Sequence, residues 1–372
     1  MKLTIERAAL LKALAHVQNV VERRNTIPIL SNVLLQAGKG RLNLSATDMD
    51  LAIIEGVTAA VAKTGGTTAP AHTMYDIVRK LPDGAEVELE ALPDKAQLVL
   101  RAGRSRFTLA CLPVEDFPVM SDSDLPHSFN LASADLKGLI DRTRFAISTE
   151  ETRYYLNGIF LHAANANGAS VLRGVATDGH RLARVQLPLP EGAAKIPGVI
   201  VPRKTVGEVR KLLDEYDGPV EISLSDTKIR FGAGDVMLTS KLIDGTFPEY
   251  ERVIPQNNDK ILEVRCKEFA EAVDRVSTIS TEKSRAIKLS MSKGTLVLSA
   301  TSPDAGSATE EIEVSYSAAA MEIGFNSRYL LDITEQMGSG DAQFALADAG
   351  SPTVVRDAAD ASALYVLMPM RV

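Results

Sequence analysis

The segment KLTIERAALLKALAHVQNVV, residues 2–21, reads as an apolar strand running directly into an amphipathic helix. Leu10, Leu11, Leu14, Val17 and Val21 recur at the spacing of one helix face. The same plan returns as SFNLASADLKGLIDRTRFAI at 128–147 and as ILEVRCKEFAEAVDRVSTIS at 261–280. In the second copy Leu136, Leu139, Ile140 and Phe145 take the apolar places, and Ser133 with Asp135 supplies helix-start chemistry. In the third, Phe269, Val273 and Val276 do so. A repeat of this kind decides the architecture, because it fixes the plan of the whole chain before any single element is settled.

Two further series keep the same register. A helix leading into a strand appears as YDIVRKLPDGAEVELE at 75–90, VGEVRKLLDEYDGPVEISLS at 206–225 and RYLLDITEQMGSGDAQFAL at 328–346. Each passes a glycine-containing turn and enters alternating apolar residues, such as Val87/Leu89 or Val220/Ile222/Leu224. Asp76, Glu208 and Asp332 hold matching places. The third series is RSRFTLACLPVEDFPVM at 104–120, echoed by DVMLTSKLIDGTFPEYERV at 235–253 and by ALYVLMPMRV at 363–372. The predicted fold class is therefore α+β, with three repeated domains at 1–124, 125–251 and 252–372, each of two helices and many short strands. The polar or proline-containing stretches SDSDLPHS at 121–128 and YERVIPQNN at 250–258 mark the joints. LHAANANGASVL at 161–172 reads as a loop of free length.

Bulk composition narrows the classes. The chain has 372 residues, 45% hydrophobic, enough for two or three cored domains. No apolar run is long enough for a membrane helix. Lys2, Glu6, Arg7 and Lys12 interrupt any signal-peptide core, so a cytoplasmic protein with no membrane partner is expected. Two cysteines, Cys111 and Cys266, suit a reducing compartment and exclude a cysteine-rich zinc site.

The most chemically loaded stretch is VATDGHRLARV at 175–185, where Thr177, Asp178, His180 and Arg181 crowd together as they would in a hydrolase. The repeat supplies an internal comparison. LSATDMDLAI at 44–53 and LSATSPDAGSATEEI at 298–312 occupy the same place, and Asp48 shares the position of Asp178 with no histidine beside it. Asp-Gly between alternating apolar runs is a hairpin signal. No nucleophile elbow, phosphate-binding loop, dinucleotide fingerprint or metal-spaced histidine pattern accompanies it. No catalytic residue, metal site or cofactor is therefore assigned. His180 and Arg181 remain peculiar to the second copy. By spacing alone they are either ordinary exposed hairpin residues or part of a binding rim.

Charge is unevenly spread. The helices and their flanks (5–24, 72–81, 132–147, 203–216, 265–276 and 328–337) hold 17 Lys/Arg against 13 Asp/Glu, which leaves 24 against 35 elsewhere in a chain of net charge −7. Arg23-Arg24, Arg79-Lys80, Arg203-Lys204 and Arg210-Lys211 cluster in a way that suits phosphate contacts, or equally a solvated helix face. Aromatic residues are too few for stacking on single strands.

PILSNVLLQ at 28–36, GRSRFTLACLPVEDFP at 103–118, RYYLNGI at 153–159 and ATDGHRLA at 176–183 together carry a family resemblance. VIVPRK at 199–204, SKLIDGTFPEY at 240–250, MEIGFNSRYLLD at 321–332 and YVLMPMRV at 365–372 extend it from end to end. The chain resembles the beta subunit of bacterial DNA polymerase III, the sliding clamp family. The resemblance implies the DNA-clamp fold: helices packed on antiparallel sheets, in a crescent that closes into a ring as a head-to-tail homodimer. It implies a processivity factor, not an enzyme, that encircles double-stranded DNA. Its implied partners are the replicative polymerase alpha subunit, the clamp loader, and other DNA polymerases and repair proteins carrying clamp-binding peptides. A hydrolase built on Asp178 and His180, or a peptide scaffold that ignores DNA, are the rival readings.

Carried over by position, the implied partner groove comprises Leu156, Thr177, Gly179, His180, Arg181, Leu182, Pro248, Arg252 and Val253. From the third domain it takes Asn326, Tyr329, Val366, Leu367, Met368, Pro369, Met370 and Arg371. Methionines at 368 and 370 offer an adaptable apolar surface for several partners. DNA-facing residues implied in the same way are Arg24, Arg79, Lys80, Tyr154, Tyr155, Arg203 and Lys204. Glu150 and Glu151 are left out, since acids weaken a phosphate contact. The subunit contact is expected to join Phe107 and Leu109 to Thr278 and Ile279.

Overall fold

The computed structural model describes residues 1–120, 124–280, 285–338 and 340–372. Six α-helices occur among them: α1 (Arg7–Val20), α2 (Ala71–Arg79), α3 (Ser133–Arg144), α4 (Arg203–Leu212), α5 (Cys266–Ser277) and α6 (Ser327–Thr334). Each follows a strand without a loop, as the repeated segment predicts for α1, α3 and α5. In α1 the face formed by Leu10, Ala13, Leu14 and Val17 is fully buried, and in α5 Phe269, Ala272, Val273 and Val276 do the same. Burial of these stripes, rather than intrinsic propensity, holds helices this short. The helices pack in pairs, α1 on α2 and α5 on α6. Asn326 caps α6 by accepting a hydrogen bond from the Arg328 N–H (3.0 Å).

Among the described residues the strand pairings are all antiparallel and form four sheets of five, eight, nine and four strands. The chain groups into two compact units, residues 1–134 with 191–196 and 207–242, and residues 135–190 with 197–206 and 243–372. The first unit holds the five- and eight-stranded sheets. Its eight-stranded sheet is continuous because Val236–Lys241, from the middle copy, pairs with Leu51–Thr58 from the first. The second unit holds the nine- and four-stranded sheets. There Arg181–Pro188, from the middle copy, pairs with Ala363–Leu367 from the third. A sequence repeat of three thus feeds two packed units, because the middle copy lends strands to both.

The segment 161–172 is not a free loop. It lies within a hairpin of Gly158–Ala166 and Ala169–Thr177, paired residue for residue from Phe160–Val175 to Ala166–Ala169. Asn167 (φ 51°) and Gly168 (φ 85°) make its two-residue turn, the conformation that Asn-Gly favours because both residues must enter the left-handed region. Of the joint expected at 121–128, residues 121–123 lie outside the described residues.

Candidate functional site

The turn at 177–181 is organised by its own side chains. Thr177 Oγ1 donates to the Arg181 carbonyl (2.7 Å) and accepts from the Gly179 N–H (3.1 Å). Asp178 Oδ1 accepts from the N–H groups of His180 (2.9 Å) and Arg181 (3.0 Å). Asp178 is therefore spent on closing the turn and is not poised against His180 as a catalytic partner. Gly179 sits at φ 89°, and a Cβ there would lie 2.7 Å from an Arg153 guanidinium nitrogen.

Arg181 ties this turn to its surroundings. Its Nε donates to Asp178 (3.1 Å), one terminal nitrogen donates to the Asp332 carboxylate, and the other donates to the Phe145 carbonyl (2.6 Å). The guanidinium also lies over the rings of Tyr329 (4.3 Å) and Phe145 (5.2 Å). Its side chain is only 10% exposed, so the charge is compensated on every side. Burial raises the Tyr329 hydroxyl above its ordinary value, with the Asp178 carboxylate adding to it. His180, by contrast, is exposed, and its carbonyl accepts from the Met368 N–H (2.9 Å). Met370 N–H donates in turn to the Gly324 carbonyl (2.9 Å). Residues 368–370 are thus stitched by backbone to the turn and to the strand Met321–Asn326.

Beneath lies an apolar cluster that includes Leu156, Leu182 and Val366 together with Val175, Ile200, Phe247, Tyr250, Ile254, Val354 and Leu364. Leu367 is buried as well (1%) and pairs with Arg181 and Thr353. Of the sequence-assigned groove residues, these four side chains are core. The exposed ones are Pro248, Arg252, Val253 (54%), Met368 (42%) and Arg371, with Gly179 and His180. Large apolar side chains left in water are informative where they border a packed core.

Two residues outside the sequence assignment anchor the 250–253 segment. Arg173, 5% exposed, donates to the Tyr250 hydroxyl (3.0 Å) and to the Glu251 carboxylate (2.5 Å). His162 Nε2 lies 3.0 Å from the same hydroxyl, and its ring stacks on Phe160, which stacks on Phe247. Burial holds His162 below its ordinary pKa against the pull of its contact with the Ala163 carbonyl, with the Arg173 charge adding to the depression. Both residues fall on the hairpin, His162 within the stretch that the sequence presents as a loop and Arg173 directly after it. The Asn-Gly turn was the signal that could have placed them on strands.

The DNA-facing assignments divide between the two units. In the first, Arg24 and Lys80 are exposed, and Arg79 is 3.0 Å from Asp76 and over the Tyr75 ring. In the second, Arg203 is exposed at the first position of α4, with Lys204 following. Tyr154 is exposed (53%), whereas Tyr155 packs against the apolar cluster and meets Tyr154 edge-on at 5.7 Å. Phe107 and Leu109 lie on Ser105–Ala110, the edge of the five-stranded sheet, and Leu109 is buried. Thr278 and Ile279 follow α5.

Comparison with known proteins gives a consistent picture. Family models for the DNA polymerase III beta subunit match residues 1–121 (N-terminal domain), 130–249 (central domain) and 251–371 (C-terminal domain). The beta sliding clamp of Caulobacter vibrioides is 57% identical over the full length of both chains, and that of Escherichia coli K12 is 41% identical over the same span. Among solved structures, a Bartonella birtlesii sliding clamp bound to griselimycin superposes with a TM-score of 0.97 at 51% identity, covering 100% of both chains. The Caulobacter crescentus beta sliding clamp gives 0.98 at 57% identity, covering 100% of this chain and 99% of the other. The expected fold of three clamp domains is the fold these relatives share, and the chain belongs to the bacterial DNA polymerase III beta subunit family, the DNA sliding clamps.

Proposed function

We propose that this sliding clamp works as a head-to-tail homodimeric ring around duplex DNA in the cytoplasm, with clamp domains at 1–124, 125–251 and 252–372. It has no chemistry of its own. It holds the replicative polymerase alpha subunit, the clamp loader, and other polymerases and repair proteins through a groove in the second unit. The observation that carries the groove is the backbone stitch of Met368 to His180 above a packed apolar cluster. It brings exposed Met368 to the turn that only the middle copy decorates with His180 and Arg181. Tethering raises the local concentration of polymerase at the primer end, so a dissociated enzyme rebinds before it diffuses away.

Two sheet edges support self-association. Ser105–Ala110 is an open edge with exposed Arg106 on it and exposed Arg104 just before it, and Gly306–Glu313 is an open edge with exposed Glu311 and Glu313. Edges of opposite charge are suited to pair with one another in a second copy, which would protect both. The exposed basic residues Arg24, Arg79, Lys80 and Arg203 suit phosphates and read no bases.

The test is topological. The protein should be retained on closed circular DNA and lost from the same DNA once linearised, and native mass measurement should give a dimer. Retention that ignores DNA topology would sink the reading. Removal of Met368–Val372 should abolish partner binding and leave the dimer intact. Polymerase stimulation that survives this deletion would show the groove to be misplaced.

A further inference from the structure

A cavity of about 520 Å3 opens in the second unit where α3 ends, α4 begins and α6 passes the 178–181 turn. Five arginines line it, Arg144, Arg181, Arg203, Arg285 and Arg328, against two carboxylates, Glu150 and Asp178. Both carboxylates are already engaged, Asp178 by Arg181 at 3.1 Å and Glu150 by Arg153 at 3.4 Å. Arg181 is further compensated by Asp332. The other four arginines are poorly compensated. Arg144 lies 3.3 Å from Asp141 and Arg328 only 3.9 Å from Asp332, and both side chains are more than half exposed (51% and 63%). Among the described residues, Arg203 and Arg285 make no ion pair.

Four guanidinium groups facing one space repel each other, in a chain whose net charge is −7. An anion removes that repulsion, and the guanidinium fork fits two oxygens of a phosphate at once. Two backbone features favour the same ligand. Arg203 is the first residue of the ten-residue α4, so the positive end of that helix faces the cavity. Arg285 is held in the left-handed region (φ 45°), where its carbonyl accepts from the Ser327 N–H at 2.8 Å. A non-glycine residue kept in that region by its neighbours is a recurrent mark of a binding site. The volume exceeds what a lone carboxylate fills and accommodates a phosphate with an attached group.

We propose that this cavity seats a phosphate group, with Arg144, Arg203, Arg285 and Arg328 as its ligands. Arg144, Arg285 and Arg328 belong neither to the partner groove nor to the DNA-facing set. Arg203 is shared with the latter, so a backbone phosphodiester as the source rests on the clamp reading. A free phosphate does not.

The experiment compares the wild type with Arg144→Gln/Arg328→Gln and with Arg285→Gln in the full-length protein. The double variant changes exposed side chains only, so folding is retained. One arm measures the thermal shift given by inorganic phosphate against chloride at equal ionic strength. The other measures affinity for a short DNA duplex across salt concentrations. If the source is the DNA backbone, the slope of log K on log salt should fall by about 1 in the double variant, the loss of one phosphate contact. If the source is free phosphate, the slope stays and the phosphate-specific thermal shift disappears. Variants that match the wild type in both arms overturn the proposal. The clamp reading is scored separately, by retention of the wild type on circular DNA, so a failure of one is distinct from a failure of the other.

Discussion

The turn at 47–51, in the first unit, and the turn at 177–181, in the second, are closed by the same four hydrogen bonds from a threonine–aspartate pair and differ in the residues that follow the pair. Thr47 Oγ1 donates to the Leu51 carbonyl (2.9 Å) and accepts from Met49 N–H (3.0 Å), while Asp48 Oδ1 accepts from Asp50 (3.0 Å) and Leu51 (2.7 Å). Thr177 and Asp178 repeat each of these. Even the left-handed residue is kept, Met49 at φ 82° and Gly179 at φ 89°. The third copy has Ser302 at the aspartate's place, and its Oγ accepts from the N–H groups of Asp304 and Ala305, the same two positions. The lesson is that the threonine–aspartate pair is a device for making the turn, and the residues placed on the turn decide what it does. Where the first unit has buried Leu51, the second has Arg181, which reaches Asp332 and the Phe145 carbonyl and so ties its turn to two other segments.

The strongest way to break the comparison is Arg181→Ala. It leaves Asp178 without its cation and Asp332 with only the distant Arg328 (3.9 Å), and should lower the stability of the second unit by about 3 kcal/mol, at the low end for a buried ion pair because Asp332 is partly exposed and keeps that neighbour. Partner-peptide affinity should fall with it. Hydrogen exchange read separately for the two units tests this, and equal losses in both units would contradict it.

Swapping the left-handed residues sharpens the comparison. Gly179→Met should cost the second unit about 2 kcal/mol, from the left-handed backbone and the contact with Arg153. Met49→Gly should gain the first unit about 0.5 kcal/mol, since relief of the backbone slightly exceeds the added freedom of the unfolded chain. A loss on Met49→Gly would mean that Met49, 47% exposed, has a packing role not visible in its surroundings.

Thr47→Val and Thr177→Val remove equivalent bonds and should each cost about 1 kcal/mol in their own unit. Denaturant midpoints for the two variants should therefore agree. A silent Thr177→Val would show that the second turn is held by Arg181 and not by its own side chains.

The smallest effects are in pH dependence, where the units differ in sign. His16 in the first unit is drawn down by burial but raised overall by its hydrogen bond to Glu55 (2.8 Å) and by the Glu55 and Glu215 charges, with Lys12 opposing. Glu215 is 3.5 Å from Nε2, close enough for charge attraction but without hydrogen-bond geometry. A raised histidine contributes fully below its ordinary value of 6.5 and loses its contribution as pH climbs through the folded value. His162 is lowered, so its unit is at full strength above 6.5 and weakens as pH falls below it. Hydrogen exchange between about pH 5 and pH 8 should show the first unit loosening toward the alkaline end and the second toward the acid end. His16→Gln and His162→Gln should each flatten only their own unit's response.

Local and periodic features were legible in the sequence. The strand–helix starts at 2, 128 and 261, the glycine turns after α2, α4 and α6, and the hairpin nature of Asp178-Gly179 all follow from backbone chemistry within a few residues. Of the groove, the resemblance supplied the residue set. It did not separate the core side chains of Leu156, Leu182, Val366 and Leu367 from exposed Val253 and Met368, because strand residues alternate faces and only the packed sheet says which face is covered. The stretch 161–172 reads as a loop because polar Asn165, Asn167 and Ser170 near the hairpin tip hide the alternation.

The sequence by itself determined the threefold repeat, the order of the helices and the family, since each rests on local pattern or on identity of residues along the chain. Tertiary structure decided the rest. It showed that the middle copy divides its strands between two packed units. It made Arg173 and His162 the anchors of the 250–253 segment. It also gathered four arginines from distant positions around one cavity. Those outcomes depend on which charges are brought together and which faces are buried, and contacts between residues a hundred positions apart leave no periodic trace in the chain.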